Sequence, residues 1–167
     1  MTMNILEPHT SSQTHVQPAF PDSCETRFGK VHFDKEDVIT FPEGIYGFHI
    51  YRNFTLAYLD SANPDFFRVL LNLEDPDESF MMMPIKQKDT QLIDANDLQE
   101  IEDALQLNKE DVEYFAITIV RVLPEAIELS MNLQAPVVVD HGTSQGWQRI
   151  MIQSSYPVQH KLELPIS

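Results

Sequence analysis

After a polar start, apolar residues recur along the chain with the period of two that a pleated strand requires. In "TRFGKVHF", Phe28, Lys30 and His32 alternate with Gly29, Val31 and Phe33, and "VITF" follows a charged turn at Asp34 to Asp37, so two neighbouring strands are predicted. "FTLAYLD", "FFRVLLNLE" and "SFMMMPI" come next, each bounded by acids, Asn or Pro. "EYFAITIVRVL", "AIELSMNL", "APVVVD" and "WQRIMIQ" continue the series, and β-branched residues such as Ile117 and Ile119 favour a sheet over a helix. One segment departs from the pattern. In "NDLQEIEDALQLN", Leu98, Ile101, Ala104 and Leu105 share a helical face, Asn96 and Gln99 have the spacing of a capping box, and Glu100, Glu102 and Asp103 face outward. A single helix is predicted at about 97–107. Many short strands with one helix predict a mainly β fold, a small antiparallel β-barrel-like single domain.

Residues 1–23 are rich in Ser, Thr, Gln and Pro without apolar periodicity and are read as a mobile tail, leaving 24–167 as the domain. A chain of 167 residues can bury a core without disulfides or a structural metal. The lone cysteine, Cys24, cannot form an internal disulfide. The first residues lack the basic and apolar regions of a secretory signal, and no run approaches the roughly 18 apolar residues of a membrane helix. A cytoplasmic protein without membrane attachment is expected.

Charge narrows the function classes further. A net charge of -15 argues against direct nucleic-acid binding, which needs clustered Lys and Arg to neutralise phosphates. Fifteen acids and four bases lie between Asp60 and Glu113, so this region carries most of the field and could steer a basic partner. The plainer reading of the same charge is a solvated surface.

Chemistry is harder to find. The six histidines are scattered without a second ligand at helical or hairpin spacing, and neither a metal nor a cofactor is expected. "HGTSQG", His141 to Gly146, is the nearest approach to a nucleophile turn, and a small hydrolytic enzyme using His141 and Ser144 is the alternative it allows. Its composition fits better a hairpin turn joining "PVVVD" to "WQRIMIQ". A self-associating structural β-domain is a third class.

Two stretches look more like recognition. "EDPDESFMMMPI" sets Glu74, Asp75, Asp77 and Glu78 beside Phe80 and Met81 to Met83, joining charge to adaptable thioethers. Successive strand residues face opposite ways, so one methionine face, either Met82 or Met81 with Met83, is expected in the core and the other outside. Trp147 is expected in the core. "FPEGIYGF" reads as a turn: Gly44 and Gly47 can reach positive φ, and Phe41, Ile45 and Phe48 would cap the core, with Tyr46 left to test for contact.

Taken in order, "FPEGIYGF", "LNLEDPDESFMMMP", "SMNLQAPVVVD" and "WQRIMIQSSYPVQHKL" resemble the flagellar assembly factor FliW family, over about residues 26–164. The resemblance implies a small β-barrel-like protein of flagellated bacteria that is not an enzyme. It further implies two protein partners bound in turn: newly made flagellin, and the translational repressor CsrA, which is antagonised once flagellin export frees the factor. The contacts expected here are Glu74, Asp75, Asp77, Glu78, Phe80 and Met82. Asn132, Leu133 and Pro136 form a second patch, although Leu133 could equally be core and Pro136 could simply start a strand.

Overall fold

In the computed structural model, residues 20–60, 66–85, 92–151 and 155–165 are described, and the expected tail therefore lies outside the described residues up to position 19. The strands are β1 (Asp22–Thr26), β2 (Gly29–Phe33), β3 (Ile39–Thr40), β4 (Asn53–Leu59), β5 (Arg68–Asn72) and β6 (Phe80–Pro84). After the helix α1 (Ala95–Leu105) come β7 (Val112–Val122), β8 (Ala126–Met131), β9 (Val137–Asp140), β10 (Gln145–Gln148) and β11 (His160–Pro165). The mainly β class with one helix is as the pattern predicts. Within "TRFGKVHF" the structure differs from the single strand its alternation predicts: Arg27 and Phe28 turn the chain into the β1–β2 hairpin, with Thr26 opposite Gly29.

The pairings return on themselves. From β4 they run through β5, β6, β7, β9, β10 and β3 and back to β4, a ring of seven strands. Every pair is antiparallel except β3 with β10, which meet in parallel at Thr40 and Gln145. Two appendages leave the ring. The β1–β2 hairpin joins the far end of β4 through Val31 opposite Leu59. The long β7 pairs with β9 and β6 over Val112 to Ile117, then leaves to pair with β8 over Thr118 to Val122, and β8 pairs with β11.

This topology covers both faces of most ring strands. Inside the ring, Ile39, Phe41, Phe54, Leu56, Leu70, Phe80, Met82, Phe115, Val137 and Val139 form one core. On the outer face beneath β1 and β2, Val31, Ala57, Val69, Leu71 and Met81 form another. Beneath α1, Leu98 and Ile101 pack with Tyr114, Ala116, Leu133 and Val138. The expectation of one outward methionine face is thereby corrected: Met82 points into the ring, Met81 lies under the hairpin, and Met83 packs against the helical cluster. A ring strand with cover on its outer side reads as a continuous apolar run because it has no wet face. Trp147 is half-buried and not in a core, because its neighbour Gly146 takes the inward position. A Cβ on Gly146 would stand 2.4 Å from the Phe41 ring, so only glycine admits that side chain.

The helix also differs from its predicted form. Its N-cap is Asp94, whose side chain accepts from the Asn96 N–H at 2.8 Å, while Gln99 donates to Asp103, so no Asn96–Gln99 box forms. Gln106 ends it in the left-handed conformation. Glu102, expected outside, is buried, where it accepts a hydrogen bond from the Tyr114 hydroxyl at 2.7 Å. Burial first, and then that bond, pushes the Tyr114 hydroxyl's pKa upward. Among the described residues no helix is long and apolar enough to cross a membrane.

Candidate partner-binding surface

One end of the ring is closed by the loop from Phe41 to Arg52. Phe41 N–H bonds the Arg52 carbonyl at 2.8 Å, Gly44 N–H bonds the Phe41 carbonyl at 3.1 Å, and Phe48 N–H bonds the Ile45 carbonyl at 2.7 Å. Gly44 and Gly47 adopt φ of 69° and 85°, the left-handed region open to glycine. Phe41 and Ile45 are buried in the ring core and Phe48 packs against it, so the loop plugs the ring. Tyr51 packs against the same core, while two other side chains of the loop turn outward. Tyr46 is 69% exposed and Ile50 is 79% exposed.

Beside this loop sits the acidic turn between β5 and β6. The Phe48 and Phe80 rings meet edge to face at 5.1 Å, and Tyr51 donates its hydroxyl proton to Asp75 at 3.2 Å. Glu74 Oε2 accepts from the N–H groups of Arg52 at 2.7 Å and Asn53 at 3.0 Å. These two backbone bonds hold its carboxyl below the usual carboxylate range. The buried Asn72 accepts from the Glu74 and Asp75 N–H groups, and Asp75 caps the 3₁₀ turn Pro76–Glu78 by accepting from Asp77 N–H. Asp-Pro at the start of a helical turn follows from the missing proline donor.

The four carboxylates are therefore not equivalent. Glu74 and Asp75 hold backbone and hydroxyl groups in place, whereas the carboxylates of Asp77 and Glu78 accept no hydrogen bond from the described residues. The expected contacts Phe80 and Met82 are core side chains, Phe80 nearly and Met82 wholly buried. In the second expected patch, Leu133 and Pro136 are buried, and Asn132 Oδ1 accepts from the Gln134 and Ala135 N–H groups, closing a turn.

Gln148 links the Tyr46 loop to the turn of the second expected patch, a bridge the sequence pattern does not show. Its amide donates to the Ala135 carbonyl at 3.3 Å and accepts from the Tyr46 N–H at 2.9 Å. The end of a strand beside two half-buried neighbours carries little sequence signal for such a bridge. Ile50 was missed as well, because one exposed aliphatic residue after a glycine turn is indistinguishable from a core residue until the loop's path is known.

The hydrolase alternative meets a different arrangement. The β9–β10 hairpin forms, but β10 starts earlier than expected, at Gln145, and stops at Gln148, leaving Arg149 to Met151 of "WQRIMIQ" outside any strand; His141 Nε2 lies 2.6 Å from Glu113 Oε1. Among the described residues no hydrogen bond joins Ser144 to His141 through its hydroxyl, so the nucleophile–base contact that catalysis needs is not made. The bond with Glu113 raises the His141 pKa above its ordinary value and lowers that of Glu113.

Comparison with known proteins places this geometry. A solved structure titled "Crystal structure of the flagellar assembly factor FliW" superposes with a TM-score of 0.61 at 23% identity, over 84% of this chain and 96% of that one. At that identity the likeness speaks for the fold. The protein named flagellar assembly factor FliW from Caldanaerobacter subterraneus subsp. tengcongensis is 33% identical over 81% of this chain and 88% of its own length. Its namesake from Thermosipho africanus is 32% identical over 82% of this chain and 92% of its own length. The family model described as FliW protein matches residues 23–162, and the chain belongs to the FliW family of flagellar assembly factors.

Proposed function

We propose that this chain acts in the cytoplasm by protein binding and not by catalysis, taking up newly made flagellin and, when free of it, antagonising the repressor CsrA. Flagellin synthesis is thereby coupled to flagellar assembly. The binding unit is the domain, which we draw from β1 at Asp22 and not from residue 24, with the residues before it as a tail, and no cofactor, membrane or nucleic acid takes part.

The observation that carries the reading is the family match over residues 23–162. The surface we assign is the exposed pair Tyr46 and Ile50 with the free carboxylates Asp77 and Glu78 beside them. Such a surface joins apolar contact area to charge that steers a basic, RNA-binding partner. Glu74, Asp75, Phe80, Met82, Asn132, Leu133 and Pro136 act behind it as supports.

The test is a pull-down of this chain with flagellin and with the repressor, singly and in competition. Each partner is expected to bind alone, and flagellin to displace the repressor. Failure to capture either defeats the proposal. Asp77→Lys is expected to slow association with the repressor most at low salt; rates that are equal to the unsubstituted chain at every ionic strength would remove Asp77 from the surface.

A further inference from the structure

The extension formed by the end of β7, β8 and β11 stands away from the ring, and β11 is its last strand. Among the described residues the outer edge of β11 has no strand partner, so its outward backbone N–H and C=O groups from His160 to Leu164 are open to pairing, and Pro165, which lacks an N–H, ends the run. The sequence of this edge is His160, Lys161, Leu162, Glu163, Leu164, Pro165. We propose that it pairs antiparallel with the same edge of a second copy, centred on Leu162.

Register is the argument. In an antiparallel pair, residues whose backbone groups point outward must face residues that also point outward, and these alternate along the strand. A two-fold pair of identical strands must therefore be centred on a residue and not between two. Centring on Lys161 would set Lys161 against its own copy, and centring on Glu163 would set Glu163 against its copy. Centring on Leu162 sets Lys161 opposite Glu163 twice, and Leu162 opposite Leu162. Like charges directly opposite destabilise a sheet and opposite charges stabilise it, so the charges select this register.

The neighbouring strands reinforce the choice. Within one copy Glu163 faces Glu128 on β8, a like charge, and Glu128 in turn faces Arg121 on β7 at 3.7 Å. Lys161 faces only Ser130 and has no ion-pair partner among the described residues. Pairing brings Lys161 of the second copy opposite Glu163, which relieves the repulsion from Glu128 and neutralises the row. On the other face Val120, Leu129 and Leu162 form one row across the three strands, Leu129 buried and its two neighbours part-exposed, and the pairing extends it into six aliphatic side chains. The other edge strand, β1, has only Asp22 and Glu25 as charges and no self-complementary register. A lysine on an edge deters pairing with unrelated strands, and here it also specifies its own copy.

The test is sedimentation of the full chain from micromolar to millimolar concentration, at an ionic strength that screens the net charge beyond about 8 Å. The unsubstituted chain is expected to dimerise weakly and reversibly. Lys161→Glu and Glu163→Lys, each alone, weaken the dimer by about tenfold, because both cross-strand pairs become repulsive. Mixing the two single variants restores association as a heterodimer, and the double variant Lys161→Glu with Glu163→Lys restores it as a homodimer. Recovery in the mixture also shows that both variants fold. A chain that stays monomeric throughout, or single variants that associate as the unsubstituted chain does, would overturn the proposal.

Discussion

Between β5 and β6, an asparagine and four acids lie within seven residues, and Asn72, Glu74 and Asp75 turn their oxygens onto backbone N–H groups. In the extension of β7, β8 and β11 the opposite holds: Ile119 is 63% exposed and Val122 is 74% exposed. The polar segment is built into the fold, and part of the apolar one stands in water. The difference lies in cover. The turn is flanked by the Phe41–Arg52 loop, whose donors need acceptors, whereas in the extension Leu129 is buried but Ile119 and Val122 have no cover among the described residues.

If that contrast is sound, truncation should cost far more in the turn. Asn72→Ala leaves the Glu74 and Asp75 N–H groups without their acceptor, and about 3 kcal/mol of stability is expected to be lost, read from the urea midpoint. A loss near zero would break the comparison.

A smaller, pH-dependent effect belongs to the pair of Glu113 and His141. Glu113 sits below its ordinary 4.5 and His141 above its ordinary 6.5, each through their shared hydrogen bond. The stabilisation is therefore present in full from about pH 4.5 to about pH 6.5. It is lost as pH rises through the raised value of His141 or falls through the lowered value of Glu113. By NMR the His141 titration is expected above its ordinary midpoint, and Glu113→Gln should move it down; an unmoved midpoint would mean that the pair does not form in solution.

Smaller again is the signature of Glu74. Its carboxylate contributes above the ordinary 4.5, and the contribution fades as pH falls through its depressed value. The Arg52 and Asn53 amide signals should titrate together in that acid range, and the titration should vanish in Glu74→Gln. The smallest effect belongs to the extension, where Val122→Thr should change stability by no more than about 0.5 kcal/mol. A larger loss would show that the cover over Leu129 reaches Val122 as well.

These cases also show how far the chain could be read in advance. The strands were legible because β-branched and aromatic residues recur at strand length between turn residues, and α1 was legible from Leu98 and Ile101 on one face. The burial of both methionine faces was not, since cover from the β1–β2 hairpin and from α1 depends on distant pairing. Glu102 was misplaced outward for the same reason: its partner Tyr114 lies on β7. Within the acidic turn, the Asp75-Pro76 step does mark a cap, but the acceptor role of Glu74 rests on a loop more than twenty residues earlier. Strand β11 has little signal in the sequence, because "HKLELP" has only two large aliphatic residues among its six.

The bridge at Gln148 sets a narrow tolerance on one position. Its side chain must accept from the Tyr46 N–H and donate to the Ala135 carbonyl, two segments far apart along the chain. Glutamate at that length keeps the acceptor and loses the donor; lysine keeps a donor and loses the acceptor; asparagine has both but falls short by one methylene. Position 148 is thus a chemical lock with one key, and exchanges there that look conservative should loosen the Tyr46 loop and the Asn132 turn together.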